Sequence, residues 1–343
     1  MESSRCRKRS SGSGGDDYLP EELIMKILSW AYVPSILMIS SNYCDNGLCN
    51  ATIVYPLEDE KQVSVPLITP FDSLRFISSF NGIVCVCNAI YSDIYLFNPL
   101  TRMSRKLPLK HSRDPHRYDV VFGFDSVSND CKVLKIAYKM PARYCTDALD
   151  VLSVDLYSSI SDSWREIQVG IALPSLAYCS FLPVLISGPV VDGVLYLEAV
   201  NTIVTFNLHS EMFGLIPYPS FNHRRKSNVL DFEGSVAVVL ESIRDGSLDE
   251  KEVSLWTMEA VSDEVFWNKI FTFDAGFNDI DWVFLYAGAN NFVGKTRLGQ
   301  VLYDYWEKQT KYIRLPSQSF CVKALKHTET FLSAEQFIGV NNS

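Results

Sequence analysis

Five stretches of this chain follow one pattern, and that repeat constrains the fold more than any other feature. They are IYLFNPLTRMSRKLPL (94–109), SVDLYSSISDSWREI (153–167), IVTFNLHSEMFGLIPYP (203–219), VSLWTMEAVSDEVFWNKIFTF (253–273) and VLYDYWEKQTKYIRLP (301–316). Each is an apolar strand with an aromatic near its end, a polar turn, and a second strand that closes on an aliphatic residue. In three copies Pro follows that aliphatic. The aligned aromatics, Phe97, Tyr157, Phe206, Trp256 and Tyr303, stand 60, 49, 50 and 47 residues apart. A sixth, weaker copy is ATIVYPLEDEKQVSVPL (51–67).

A further strand, introduced by a turn dipeptide or its like, precedes most copies: NGIVCVC (81–87), DSVSNDCKVLKIA (125–137), DGVLYLEAV (192–200) and EGSVAVVLE (233–241). Asn-Gly and Asp-Gly favour tight hairpins because both central positions tolerate positive φ. The unit is therefore a strand, a loop and a hairpin, recurring at about 50 residues, a period that suits a β-propeller blade. One such sheet cannot bury both faces alone, whereas blades packed radially can. A β-sandwich gives similar strand counts and stays open at this point. The expected fold is mainly β, a propeller-like array of about 50-residue units with a short N-terminal helix. Trp164, Trp267 and Trp306, at comparable points of their units, are expected to pack rather than to bind ligand.

Charge and composition exclude several functions. The chain has 343 residues, 47% hydrophobic, yet no run approaches the ~18–20 apolar residues of a membrane-spanning helix. The start, MESSRCRKRSSGSGGDD, lacks the apolar segment of a secretory signal. The nine cysteines are odd in number and scattered, mostly in apolar surroundings such as GIVCVC, as reduced thiols are. A soluble protein of the cytoplasm and/or nucleus is expected, with no membrane partner. A net charge of −9 argues against general nucleic-acid binding, which needs clustered Lys and Arg. The basic run Arg5–Arg9 lies in a Ser/Gly-rich tail and reads as a solvated segment.

No hydrolase, phosphate-loop, dinucleotide or zinc-protease motif is present. His111 and His116 fall in the charged connection KHSRDPHRYD, and the cysteine spacings do not suit zinc. Asp279 and Asp281 alternate onto one face in FNDIDWVF, but no second catalytic feature accompanies them. No catalytic residue, metal site or cofactor is expected. A propeller hydrolase acting on a sugar or ester is disfavoured on the same grounds.

Two segments point to binding instead. FNHRRKSN (221–228) is a basic turn in an acidic chain, and Asn222, His223, Arg224, Arg225 and Lys226 form a candidate target-binding loop, since loops on a rigid scaffold carry function. Near the N-terminus, Asp16 and Asp17 precede a helix whose first position suits Pro20 and whose start suits Glu21 and Glu22. Leu19, Leu23, Ile24, Ile27 and Leu28 make one apolar stripe along it.

LPEELIMKILS resembles the beginning of an F-box, the short helical motif that docks a protein onto the Skp adaptor of an SCF (Skp–cullin–F-box) ubiquitin ligase. The segments NGIVCVC, IYLFNPLTRMSRKLP, FGFDSVSNDCKVLKI, VDLYSSISDSWREI, DGVLYLEAVNTIVTFNLHSEMFGLIP and VSLWTM…FWNKIFTF resemble, in order and spacing, the F-box-associated, kelch-like domain of large plant F-box families. The resemblance implies a substrate-recognition subunit. Leu19, Pro20, Leu23, Ile24, Ile27 and Leu28 would contact the adaptor, a cullin would serve as scaffold, and the β domain would bind an unidentified target protein.

It also implies a departure. An F-box continues for a further ~30 residues, whereas this chain runs from Ser29 through Trp30-Ala31-Tyr32 into PSILMISS. An isolated helix of fewer than ~12–15 residues is marginal in water, and an interface stripped of most anchors loses most of its affinity. Weak or lost adaptor binding follows as an expectation, with an adaptor-independent target-binding module as the alternative function. The expected organisation is a disordered tail (1–15), a partial F-box helix (16–30), a lead-in or first unit (31–69), the β domain (70–320) and a C-terminal segment (321–343).

Overall fold

A computed structural model describes residues 35–41, 49–54, 62–65, 74–88, 93–108, 117–138, 151–171, 188–199, 202–219, 224–243, 251–261, 264–273, 280–313 and 320–327. These belong to one compact unit, Pro34–Ser343. The expected helix at 16–30 lies outside the described residues.

The described residues form six four-stranded antiparallel sheets, the blades of a β-propeller. Blade 1 combines β1 (Ser35–Ser41), β2 (Cys49–Val54) and β3 (Gln62–Val65) with the last strand of the chain, β24 (Phe320–His327). Blade 2 holds β4 (Leu74–Phe80), β5 (Ile83–Asn88), β6 (Ile94–Phe97) and β7 (Ser104–Lys106). Blade 3 holds β8 (Arg117–Asp125), β9 (Asp130–Tyr138), β10 (Val151–Ser158) and β11 (Ser163–Ile167). Blade 4 holds β12 (Val190–Val191), β13 (Val194–Glu198), β14 (Thr202–Asn207) and β15 (Phe213–Pro217). Blade 5 holds β16 (Arg224–Phe232), β17 (Ser235–Ile243), β18 (Lys251–Val261) and β19 (Glu264–Thr272). Blade 6 holds β20 (Ile280–Gly288), β21 (Asn291–Thr296), β22 (Gly299–Asp304) and β23 (Gln309–Ile313).

The first strand of blades 2 to 6, and β24 in blade 1, is innermost. Neighbouring blades meet at these strands, β24 against β4, β4 against β8, β16 against β20 and β20 against β24. The ring is closed by pairing β24 with β1, from Ser35 opposite His327 to Ser41 opposite Phe320. The C-terminal segment anticipated outside the β domain thus supplies an inner strand, and the weak sixth copy supplies β2 and β3, paired from Ala51↔Val65 to Val54↔Gln62.

The core lies between blades rather than inside any one of them, as the radial arrangement requires. Cys85, Leu96 and Ile77 of blade 2 pack on Val120, Phe122 and Val133 of blade 3. The opposite face of blade 3, with Val121, Leu134 and Leu156, packs on Leu195, Leu197 and Phe206 of blade 4. Blades 4 and 5 meet through Val229, Val238 and Ile203, and blades 5 and 6 through Leu230, Phe232, Phe292 and Tyr303. Phe97, Tyr157, Phe206 and Tyr303 are at most 2% exposed and occupy the third strand of their blades. Burying an aromatic or aliphatic side chain of this size contributes roughly 1.5–3 kcal/mol.

Blade 5 departs from the sequence alignment. Thr257 pairs with Ala237, which sets Met258 rather than Trp256 level with the second residue of β17, the level that Phe97, Phe206 and Tyr303 occupy in their blades. Here β18 runs on to Val261, five residues past Trp256, and the Trp256 indole donates to Ser254 Oγ at 2.9 Å.

Candidate functional site

The alternation of strand direction gives the propeller two unlike ends. At one end lie the turns joining first to second and third to fourth strands, and they are short. In blades 2, 4, 5 and 6 the first-to-second turns are Asn81-Gly82, Asp192-Gly193, Glu233-Gly234 and Ala289-Asn290, each with two successive positive φ values, as a type I′ hairpin requires. The Asn-Gly and Asp-Gly dipeptides thus fold as their sequence predicts.

The third-to-fourth turns share a second device. Asn98 Oδ1 accepts from the backbone N–H of Leu100 and Thr101, Asn207 Oδ1 from His209 and Ser210, and Asp304 Oδ1 from Trp306 and Glu307, all within 2.8–3.2 Å. In blade 3, where Ser158 replaces the Asx residue, Asp130 reaches across to accept from Ser159 and Ile160 at 2.8 and 3.2 Å. Four residues beyond each cap the chain turns left-handed, at Arg102, Asp162, Glu211 and Lys308, with φ between 46° and 60°. None of these is glycine, so each carries a conformational cost.

Two of them offset it by bridging blades. Asp162 accepts from Tyr157 Oη in its own blade at 2.8 Å and pairs with Arg105 of blade 2 at 2.8 Å. Glu211 of blade 4 pairs with Lys132 of blade 3 at 3.0 Å and with Arg165. Lys132 is buried; its Nζ also donates to the Leu208 carbonyl at 2.5 Å and lies 3.4 Å from Asp125. Burial pushes the Asp125 carboxyl up, but donors from Ser128, the Val127 N–H and His209 outweigh it and hold the group well below the usual carboxylate range. Indoles add a further latch. Trp164 Nε1 donates to the Pro108 carbonyl of blade 2 at 2.7 Å, and Trp267 Nε1 to the Pro217 carbonyl of blade 4 at 2.8 Å. These tryptophans are packing residues that also bond; Trp306, on its turn, is 73% exposed.

On the axis at this end, Lys326 of β24 pairs with Asp231 of β16 at 3.1 Å, passing over blade 6. His327 is 1% exposed; its Nδ1 lies 3.3 Å from Ser79 Oγ, and its Nε2 has no hydrogen-bond partner among the described residues. Burial pushes its pKa down to about 4.

The other end receives the remaining connections, including 139–150 and 172–187, which are long and lie outside the described residues. The innermost strands start here. Arg224, Arg225 and Lys226, expected in a loop, are the first residues of β16, with Arg224 opposite Ser242, Lys226 opposite Glu241, and a bulge between them. Their polar composition hides a strand because an inner edge at a bulge demands no apolar alternation. Asn222 and His223 lie outside the described residues, as do Leu19, Pro20, Leu23, Ile24, Ile27, Leu28, His111, His116 and Asp279. Asp281 lies on β20. Among the described residues no group of His, Cys, Asp and Glu is placed to hold a metal ion. The inter-blade bridges were invisible in sequence because their partners stand 46 to 79 residues apart. The recurring aromatic–Asn/Asp pair (Phe97-Asn98, Phe206-Asn207, Tyr303-Asp304) was the signal for the capped turns.

Residues 37–304 match the family described as the F-box associated beta propeller domain. An F-box protein of Arabidopsis thaliana is 26% identical and covers 75% of this chain and 72% of its own length. A second F-box protein of that plant is 26% identical over 56% of this chain, and a putative F-box/kelch-repeat protein 25% identical over 57%. The chain spans 51% and 47% of those two proteins.

Proposed function

The chain belongs to the F-box-associated β-propeller family, and from that premise we propose that it is the target-recognition subunit of an SCF-type ubiquitin ligase. The observation that carries this reading is the family's propeller preceded in sequence by LPEELIMKILS. The propeller holds a target protein, while Leu19, Pro20, Leu23, Ile24, Ile27 and Leu28 contact the Skp adaptor, which is bound in turn to a cullin. The role is recognition and not catalysis; the ligase supplies the chemistry. Cytoplasm and nucleus are the compartments this assigns, with neither nucleic acid nor membrane as partner.

One observation favours a second reading. β1 begins at Ser35, so only residues 30–34 separate LPEELIMKILS from the propeller's first strand. The rest of an F-box has no room there. On that reading the protein binds its target without delivering it to the ligase.

Capture of purified Skp adaptor by the full chain decides between them, with the Leu23→Asp, Ile27→Asp double variant as control. Submicromolar capture abolished by the variant supports the ligase subunit. No capture by a chain whose propeller melts cooperatively overturns it in favour of the adaptor-independent module.

A further inference from the structure

The capped turns of the short-turn end present large apolar side chains where a solvated turn gains nothing from them. Among the residues whose backbone N–H the caps hold, within 2.8–3.2 Å, are Leu100, Val127, Ile160 and Trp306. These four are exposed, from 37% for Leu100 to 73% for Trp306, and so is Met212 on the blade 4 turn. On blade 5, Phe266 is half exposed opposite Glu259, near the tip of the β18–β19 hairpin. Large apolar side chains exposed singly are ordinary on a protein surface; a row of them on the turns of one end marks an interaction surface. The inter-blade bridges make the row continuous across blades 2 to 4. Arg105 of blade 2 meets Asp162, two residues past Ile160, and Arg165 of blade 3 meets Glu211, next to Met212.

Charge divides the same end. Along the bridges the charges offset one another, Arg105 with Asp162, and Lys132 and Arg165 with Asp125 and Glu211. Blades 4 and 5 add Asp192, Glu233, Glu259 and Glu264, all exposed here, and no ion pair among the described residues neutralises them. The exposed cations Arg102 and Lys308 stand on blades 2 and 6. The surface is thus apolar over blades 2 to 4 and acidic over blades 4 and 5.

We propose that the short-turn end recognises an amphipathic segment of the target protein, whose apolar side chains cover the turn tips and whose Lys or Arg residues meet the carboxylates of blades 4 and 5. The inference rests on the target-recognition reading and deepens it by giving the target's chemistry. The caps hold the tips in place before the partner arrives, so binding costs little ordering on this side. Apolar anchors of this kind carry most of the affinity of an interface. Charge complementarity selects the occupant: the carboxylates orient the segment and reject an acidic partner.

The test uses the full chain and a fluorescein-labelled peptide of Leu and Gln with Lys residues at one end, followed by anisotropy. One comparison peptide carries Ser for Leu, and another carries Glu for Lys. The Leu/Lys peptide is expected to bind, the Ser peptide not to, and the Glu peptide to bind roughly tenfold more weakly. The Leu100→Ser, Ile160→Ser, Met212→Ser variant is expected to weaken Leu/Lys binding by about tenfold or more. Leu215→Ser, Tyr312→Ser, which removes exposed apolar side chains of outer strands, should leave it within about twofold. Absence of Leu/Lys binding, equal binding of the Glu peptide, or equal loss in both variants overturns the proposal. A dimer in sedimentation that the turn-tip variant abolishes overturns it in favour of a second copy of the chain. A photo-crosslinkable Leu/Lys peptide on the unsubstituted chain keeps the test independent of variant folding: adducts on the turn tips support it, adducts on the long-connection end overturn it. Skp capture measured on the same preparations separates the two readings. Capture without peptide binding overturns the amphipathic-segment proposal alone, and peptide binding without capture overturns the ligase reading alone.

Discussion

The two ends of this propeller solve opposite problems. At the short-turn end, capped turns, left-handed residues and ion pairs tie each blade to its neighbour, so that Asp162 meets Arg105 and Glu211 meets Lys132 and Arg165. At the other end β16 begins with the unpatterned polar residues RRKS, and connections of very unequal length join the blades. Inter-blade bridging is concentrated where the connections are short. This division leaves the long-connection end free to vary without loosening the ring.

The comparison breaks most severely at Lys132. Lys132→Ala leaves Asp125 and Glu211 without their buried cation, and removal of one partner of a buried pair costs about 3–5 kcal/mol. Urea denaturation should show that loss as a lower midpoint with an unchanged slope.

A second expectation concerns pH. The fold accommodates His327 neutral, with its pKa pushed down to about 4 from an ordinary 6.5. Its contribution is complete above pH 6.5. As pH falls the unfolded chain takes up the proton first, so stability is lost between about pH 6.5 and 4 and levels off below. The full loss is about 3 kcal/mol. His327→Gln should flatten this limb of the pH–stability curve; an unchanged limb would assign the dependence to other groups.

Smaller effects sharpen the contrast. Trp164→Phe removes the bond to the Pro108 carbonyl and should cost about 1 kcal/mol by thermal or chemical denaturation. Lys308→Gly relieves a left-handed residue for which the described residues show no inter-blade ion pair, and should raise stability by about 0.5–1 kcal/mol. The same change at Glu211 should destabilise, because there the left-handed residue carries the bridge.

Much of this architecture is legible in the amino-acid order. Third and fourth strands announce themselves because an aromatic, an Asx cap and a left-handed residue keep fixed spacing, as in Phe97-Asn98 and Arg102. Asn81-Gly82 and Asp192-Gly193 name their hairpins. The inner strands are harder to see: β12 has two residues, and β20, IDWVFLYAG, carries an unbroken apolar run from Trp282 on. Trp256 misleads because β18 extends to Val261, so that Met258 takes the equivalent position. Ring closure leaves no local trace, since Ser35 and His327 are 292 residues apart. At the long-connection end, composition marked Arg224–Lys226 as unusual but read them as loop, whereas they open β16.

Because blade 1 takes β1 from the beginning of the domain and β24 from its end, the propeller has a history as well as a shape. A ribosome making ~5–20 residues per second finishes β24 roughly 15–60 s after β1. Throughout that interval β1 presents an unpaired inner edge, the kind of surface that templates association with another nascent chain. Blades 2 to 6 can assemble as they emerge, but the ring must wait for its last strand. A chain released before Phe320 would keep five whole blades on an open, aggregation-prone crescent.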